Sequence, residues 1–168
     1  MSRPAILIDI NGTLSDTSKV EHFLKQSPKD WVGFFENMNS VPVVPIVREI
    51  AKRFRKDHQI LLISGAPESY ETHTKAWLEL KGVPYNRLYM RPSWDKRKGW
   101  QMKNSIYKNQ IKSIFNVKLV LDDKADACKM FREHGLNCWN VGKESPMPVS
   151  DVPGQRFAHL VQKGRTRV

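Results

Sequence analysis

Runs of consecutive apolar residues alternate along this chain with segments in which apolar positions recur every three or four residues. Five short runs, at 5–10, 59–64, 87–90, 117–121 and 137–141, read as strands. In the first, neighbouring positions are apolar, so both faces of that strand are expected to be covered, as in a parallel sheet. Between the runs, helical spacing groups Trp31, Phe34, Phe35 and Met38, then Ile46, Ile50 and Phe54, then Tyr70, Trp77 and Leu80 within 68–81. Met102, Ile106, Ile111 and Ile114 predict a fourth helix, and residues 125–134 a fifth. Ser27 is expected to cap the first helix, with Pro28 at its first position and Asp30 in its first turn. Gly82-Val83-Pro84 and Gly135 read as stops. Strands alternating with helices predict an α/β fold, a parallel sheet with helices on both faces.

Segment 15–58 is long enough for a small helical flap and one packing helix, but too short for a separate cap domain. That length favours a cleft open enough for the end of a large substrate. Trp31, Phe34 and Phe35 are expected as helix core ahead of a base-stacking platform, with Trp31 over the cleft as the other option. One domain is expected over 1–145 and a basic C-terminal extension over 146–168; residues 142–154, rich in Pro and Ser, read as a loop or tail.

Composition narrows the class further. With 40% hydrophobic and 27% charged residues in a chain of 168, a folded core is expected rather than disorder. No apolar run reaches membrane-spanning length, and Met1-Ser2-Arg3-Pro4 leads directly into the first strand. The expectation is therefore a cytoplasmic protein without a signal peptide, in the host cytoplasm if phage-encoded, with no membrane partner. The two cysteines, Cys128 and Cys138, fit reduced, buried thiols. The net charge of +11 favours polyanionic partners, nucleic acid or nucleotides, over a merely solubilising surface. Oligomeric state is left open.

Chemistry concentrates at the ends of the apolar runs. The first ends in Asp9-Ile10-Asn11-Gly12-Thr13, the second in Ser64-Gly65, and the fourth in Asp122-Asp123. Open α/β sheets place their ligand crevice at strand carboxyl ends. A carboxylate there can serve as a nucleophile. A strand ending in a hydroxyl and entering a helix, at Ser64-Gly65, suits a phosphoryl group. Lys103, with Lys98 as rival, would neutralise the nucleophile and the transferring group. The paired acids Asp122-Asp123 beside a third carboxylate repel one another unless a hard cation such as Mg²⁺ sits among them.

In this order, the pieces resemble the haloacid dehalogenase (HAD) superfamily of phosphotransferases, whose signature is Asp-x-Asp-x-Thr. The resemblance covers residues 6–141 and narrows to the phosphatase domain of bacteriophage-type polynucleotide kinase and related small phage and bacterial proteins. It is carried by Ile63-Ser64-Gly65, Pro67-Glu68-Ser69-Tyr70, Leu88-Tyr89-Met90-Arg91, Arg97-Lys98 before Lys103, and Leu121-Asp122-Asp123-Lys124. It implies a Rossmann-like three-layer α/β/α sandwich with a five-stranded parallel core sheet, and a Mg²⁺-dependent 3′-phosphatase acting on nucleic acid ends or phosphorylated nucleotides. Asp9 would be the nucleophile. Thr13, Ser64, Gly65 and Lys103 would bind phosphate, and Asp9, Asn11 (by its main-chain carbonyl), Asp122 and Asp123 would hold the metal.

Three positions depart from the family pattern. Asn11 stands where the family's general acid and base is an Asp, Ala66 where relatives often have a phosphate-gripping Arg, and Gly99 where they often have an acid. An amide has no titratable proton near neutrality, and losing a general acid or base costs on the order of 10²–10⁴ in rate. Three accounts stand: a natural protein weakened in catalysis that binds phosphorylated ligands, nucleic acid or a protein; an engineered Asp-to-Asn change that traps substrate; or an active enzyme with another proton donor, His73 or His134.

Overall fold

The computed structural model describes residues 2–142. The extension expected over 146–168, and all but the first residue of the loop expected over 142–154, lie outside them. The elements follow as β1 (Arg3–Asp9), α1 (Glu21–Leu24), α2 (Trp31–Glu36), α3 (Pro45–Phe54), β2 (Gln59–Pro67), α4 (Glu71–Leu80), β3 (Arg87–Arg91), α5 (Gly99–Ile106), β4 (Phe115–Asp122), α6 (Ala125–Glu133) and β5 (Cys138–Asn140).

The five strands form one parallel sheet in the order β3-β2-β1-β4-β5. Alternation along β1 sorts its side chains between two cores. Ile6 and Ile8 pack on one face with Val47, Ile50, Trp77 and Leu78 of α3 and α4. Ala5 and Leu7 pack on the other with Met102, Ile106, Cys128 and Phe131 of α5 and α6. β1 is therefore buried on both sides, as its continuous apolar run requires, and the architecture is the expected three-layer α/β/α sandwich. Among the described residues, no helix is long and apolar enough to cross a membrane.

Segment 15–58 folds as a minimal flap, α1 and α2, followed by the packing helix α3. The flap's base is fixed to the body. Trp77 Nε1 donates to the Val41 carbonyl (3.0 Å), Lys81 Nζ to that of Asn39 (3.0 Å), and Arg48 Nη1 to that of Lys81 (3.1 Å).

Local expectations fail at four places. The helix after Ser27-Pro28 starts later, at Trp31, because the Asp30 carboxylate takes the cap by accepting from the Gly33 amide at 2.8 Å. The chain after Ser64 does not enter a helix. β2 continues through Pro67 with a register shift, then a 3₁₀ turn precedes α4. Leu80 is exposed rather than core. The fourth helix loosens after Ile106 into a wider π-type turn over Tyr107–Ile111, which leaves Ile114 exposed. Cys128 and Cys138 are buried free thiols, and the Cys138 thiol is pushed up by its hydrogen bond with Cys128 and by burial.

Candidate active site

A parallel sheet brings the carboxyl ends of its strands to one side, and the register sets which residues meet there. Asp9 closes the central strand and pairs with Ile63, so Ser64 lies one step beyond on β2. Across the other flank, Ile8 pairs with Leu121, and Asp122 closes β4. Asp9, Ser64 and Asp122 thus come from the ends of three adjacent strands.

Lys103, on α5, joins two of them. Its Nζ is 2.8 Å from Asp9 Oδ1 and 2.5 Å from Asp122 Oδ2, with all three side chains buried. Burial pushes the ammonium down, but the Asp9 and Asp122 charges and hydrogen bonds outweigh it and hold Lys103 above the usual lysine range. Burial raises the Asp9 carboxyl, Lys103 pulls it back, and the Asp122 and Asp123 charges raise it again, to about 7.

One Asp9 oxygen is held by Lys103, whereas Oδ2 is buried with no hydrogen-bond partner. Carboxylate oxygens of Asp9, Asp122 and Asp123 lie within 4.8 Å of one another. A buried, unpartnered carboxylate oxygen is costly, and a hard cation among three oxygen donors removes the cost. The residues present therefore fit Mg²⁺.

The turn after β1 is built around these carboxylates. Gly12 has φ +91, and a Cβ there would stand 2.6 Å from Asp123 Oδ2, so only glycine allows this approach. Thr13 is buried and its hydroxyl donates to Asp123 Oδ1 at 3.3 Å; Lys124 Nζ is 2.9 Å from Asp123 Oδ2. Asn11 Nδ2 lies 3.4 Å from Ser64 Oγ, which also accepts from the Ala66 amide at 3.1 Å.

A cavity of about 340 Å³ opens over this arrangement, with Asp9, Asn11, Gly65, Lys103 and Asp123 among its lining residues. Thr13 and Ser64, both expected at phosphate, lie behind its surface, where they tie Asp123 and Asn11 in place. His73 packs against Phe35 and Tyr70, and His134 pairs with Asn104 at 2.7 Å; neither lines the cavity.

Four cations reach the cavity that the sequence did not single out as site residues: Lys25, which is paired with Glu21, and Lys29, Arg91 and Lys124. Burial lowers Lys29, and the Arg91 and Lys124 charges lower it further. Among the described residues, Lys29 has no carboxylate partner; its ammonium sits 5.6 Å from the Trp31 ring centroid. Arg91 closes β3, so the strand-end rule that found Asp9 also points to it. Lys29 precedes a flap helix and carries no comparable signal. Trp31 is half-buried and lines the cavity, backed by Phe34 and Phe35 in the core.

This site sits on a fold shared with known proteins. A chain from the structure of the Pnkp1/Rnl/Hen1 RNA repair complex is 23% identical, with a TM-score of 0.73 over 83% of this chain and 42% of that one. A hydrolase from Streptococcus pneumoniae TIGR4 is 14% identical, with a TM-score of 0.54, covering 83% of this chain and 93% of that one. A HAD-superfamily hydrolase of subfamily IA from Geobacter sulfurreducens PCA is 10% identical, with a TM-score of 0.54, over 81% of this chain and 85% of that one. This chain thus spans less than half of the RNA repair chain it resembles. The family model for the polynucleotide kinase PNKP phosphatase domain matches residues 3–145. The chain belongs to the family of polynucleotide kinase PNKP phosphatase domains, within the HAD superfamily.

Proposed function

We propose that this protein is a Mg²⁺-dependent phosphatase that removes a terminal phosphate, a 3′-phosphate above all, from nucleic acid ends or nucleotides. The observation that carries the reading is Asp9: one oxygen held by Lys103, the other buried without a partner at the floor of a cavity walled by Lys29, Arg91 and Lys124. Those cations suit a dianionic phosphate monoester. The family match, the likeness to a chain of an RNA repair complex and the net charge of +11 support the same substrate class.

Asp9, Asp122 and Asp123 would hold the cation, with the Asn11 carbonyl as the further ligand the family resemblance implies. When bound, it neutralises the carboxylates and draws charge from the phosphoryl oxygens. Lys103 holds the Asp9 carboxylate in place, and Asp9 attacks phosphorus through one of its carboxylate oxygens. The bond from phosphorus to the ester oxygen breaks, and its electron pair leaves on that oxygen. Asp9 becomes an aspartyl-phosphate. Asn11 can donate a hydrogen bond to the departing oxygen but no proton, so water must supply it. Water must likewise hydrolyse the aspartyl-phosphate without a carboxylate at position 11 to activate it. Both steps are slowed accordingly.

The amide at position 11 favours a second reading, in which the same pocket binds a phosphorylated end, nucleic acid or a protein without turnover. Phosphate release from a 3′-phosphorylated oligonucleotide in Mg²⁺, compared between this protein and its Asn11→Asp variant, separates the two. The phosphatase reading expects slow release that rises on the order of 10²–10⁴ in the variant. Silence from both proteins, with the oligonucleotide still bound, establishes the second reading instead.

A further inference from the structure

After β3 the chain runs Arg91-Pro92-Ser93-Trp94-Asp95-Lys96-Arg97-Lys98 before α5 begins at Gly99. Arg91 and Gly99 both line the cavity, so the segment between them leaves the cavity at one end and returns to it at the other.

This loop is fixed from beneath. Asp95 is only 2% exposed, and its carboxylate accepts from the Arg97 amide (3.0 Å), Nε (3.0 Å) and Nη2 (2.6 Å). Arg91 spans the loop from the other side. Its Nη1 donates to the carbonyls of Asp95 (3.1 Å) and Arg97 (2.8 Å), while Nε donates to that of Gly65 (2.9 Å). The Ser93 amide donates to Glu68 Oε1 at 3.0 Å. The loop is thereby shaped before any ligand arrives.

What it displays is unusual for a solvated turn. Trp94 is 74% exposed, the most exposed large hydrophobic residue among those described, and no ring of another described residue packs on it. An indole left in water forgoes the burial that would stabilise it. Lys96 and Lys98 follow it on the same loop, exposed, and neither has a carboxylate partner among the described residues. An open aromatic face among unpaired cations, held rigid, matches the chemistry of single-stranded nucleic acid: bases stack on the ring and lysines neutralise phosphates.

We infer that this loop is the contact for the single strand leading away from the terminal phosphate. Trp94 stacks on a base outside the cavity, and Lys96 and Lys98 neutralise neighbouring phosphates. The inference rests on the nucleic-acid reading of the cavity and extends it from the terminal nucleotide to the strand behind it. It implies that longer substrates are held more tightly than mononucleotides.

The test is fluorescence anisotropy with a labelled, single-stranded 3′-phosphorylated decamer, in EDTA so that turnover plays no part. The full chain is compared with Trp94→Ala, Trp94→Phe and Lys96→Ala/Lys98→Ala. Trp94→Ala is expected to weaken binding about 5- to 150-fold, the range for loss of one base–aromatic stack, and Trp94→Phe to recover most of it. The double lysine variant is expected to reduce the slope of log affinity against log salt by about 0.7 per lysine, a slope that Trp94→Ala leaves alone. Trp94→Ala binding the decamer as tightly as the unaltered chain overturns the inference and assigns the indole to another partner, such as a protein surface. Trp94-dependent binding without phosphate release in Mg²⁺ removes the phosphatase reading and leaves this contact standing. Phosphate release with Trp94-independent binding does the reverse, and no binding by the unaltered chain removes both.

Discussion

Replacing Lys103 by methionine keeps an unbranched stem one atom shorter and removes the ammonium with its charge and hydrogen bonds. In the folded protein this ammonium lies between Asp9 Oδ1 and Asp122 Oδ2, with 5% of its side chain exposed and 5% and 0% of theirs. The variant leaves two buried carboxylates facing each other, with Asp123 beside them. Removing one member of a buried ion pair costs about 3–5 kcal/mol, because the partner's charge stays desolvated. At about 2–4 °C per kcal/mol for a chain of this size, the melting temperature of Lys103→Met should fall by roughly 6–20 °C. Urea unfolding followed by far-ultraviolet circular dichroism measures the same loss as a lower midpoint at constant slope. Lys118→Met, at an exposed position on β4, serves as control and should stay within about 0.5 kcal/mol of the parent. Mg²⁺ should recover more stability in the variant than in the parent, since the ion binds only the folded cluster and there relieves more repulsion. A deficit below about 1 kcal/mol for Lys103→Met would refute the reasoning, as would a deficit that Mg²⁺ leaves untouched.

Gly12→Ala forces a side chain into a left-handed turn and against Asp123, so isothermal titration should show weaker Mg²⁺ binding, with a stability loss of about 1–2 kcal/mol. Asp95 gives a pH signature of its own. Its hydrogen bonds with Arg97 hold the carboxyl at about 2, against an ordinary 3.8, with the charges of Arg97 and Arg91 acting in the same sense. A depressed carboxylate stabilises the fold above its unfolded pKa and loses that contribution as pH falls through the folded one. Asp95→Asn should therefore flatten the acid limb of the stability profile between about pH 4 and pH 2, and a profile parallel to the parent's would contradict this.

The sheet was legible from the sequence because burial on both faces leaves a run such as Ala5-Ile6-Leu7-Ile8 no polar position, and few other environments tolerate that. Asp9, Asp122 and Asp123 were legible for the same reason, as carboxylates ending such runs. Helix boundaries were less so. Ser27-Pro28 carries every local mark of a helix start, yet Asp30 is the side chain that reaches an open amide. Competition between two caps three residues apart is decided by how the following aromatic residues dock, which a local pattern does not contain. Likewise Ser64-Gly65 has the composition of a strand-to-helix turn, but pairing with β3 extends the strand past it. The cavity's lysines other than Lys103 were hidden because Lys25 and Lys29 of the flap and Lys124 after β4 meet only through the topology. Thr13 shows the converse limit. The motif names it, but only the fold reveals that its hydroxyl is spent on Asp123.

The strand order has a consequence for assembly. β1 is the first strand made, yet it sits at the centre, between β2 and β4, and β4 is the fourth. Asp9 therefore waits through most of the chain before the strand bearing Asp122 arrives beside it. Lys103 lies on the helix that precedes β4, so the ammonium is on hand before the second carboxylate comes into range. The crowding of Asp9 against Asp122 thus requires β4 to pair with β1 and does not arise within either segment alone. The protein need not tolerate a bare cluster of acids while its core is incomplete.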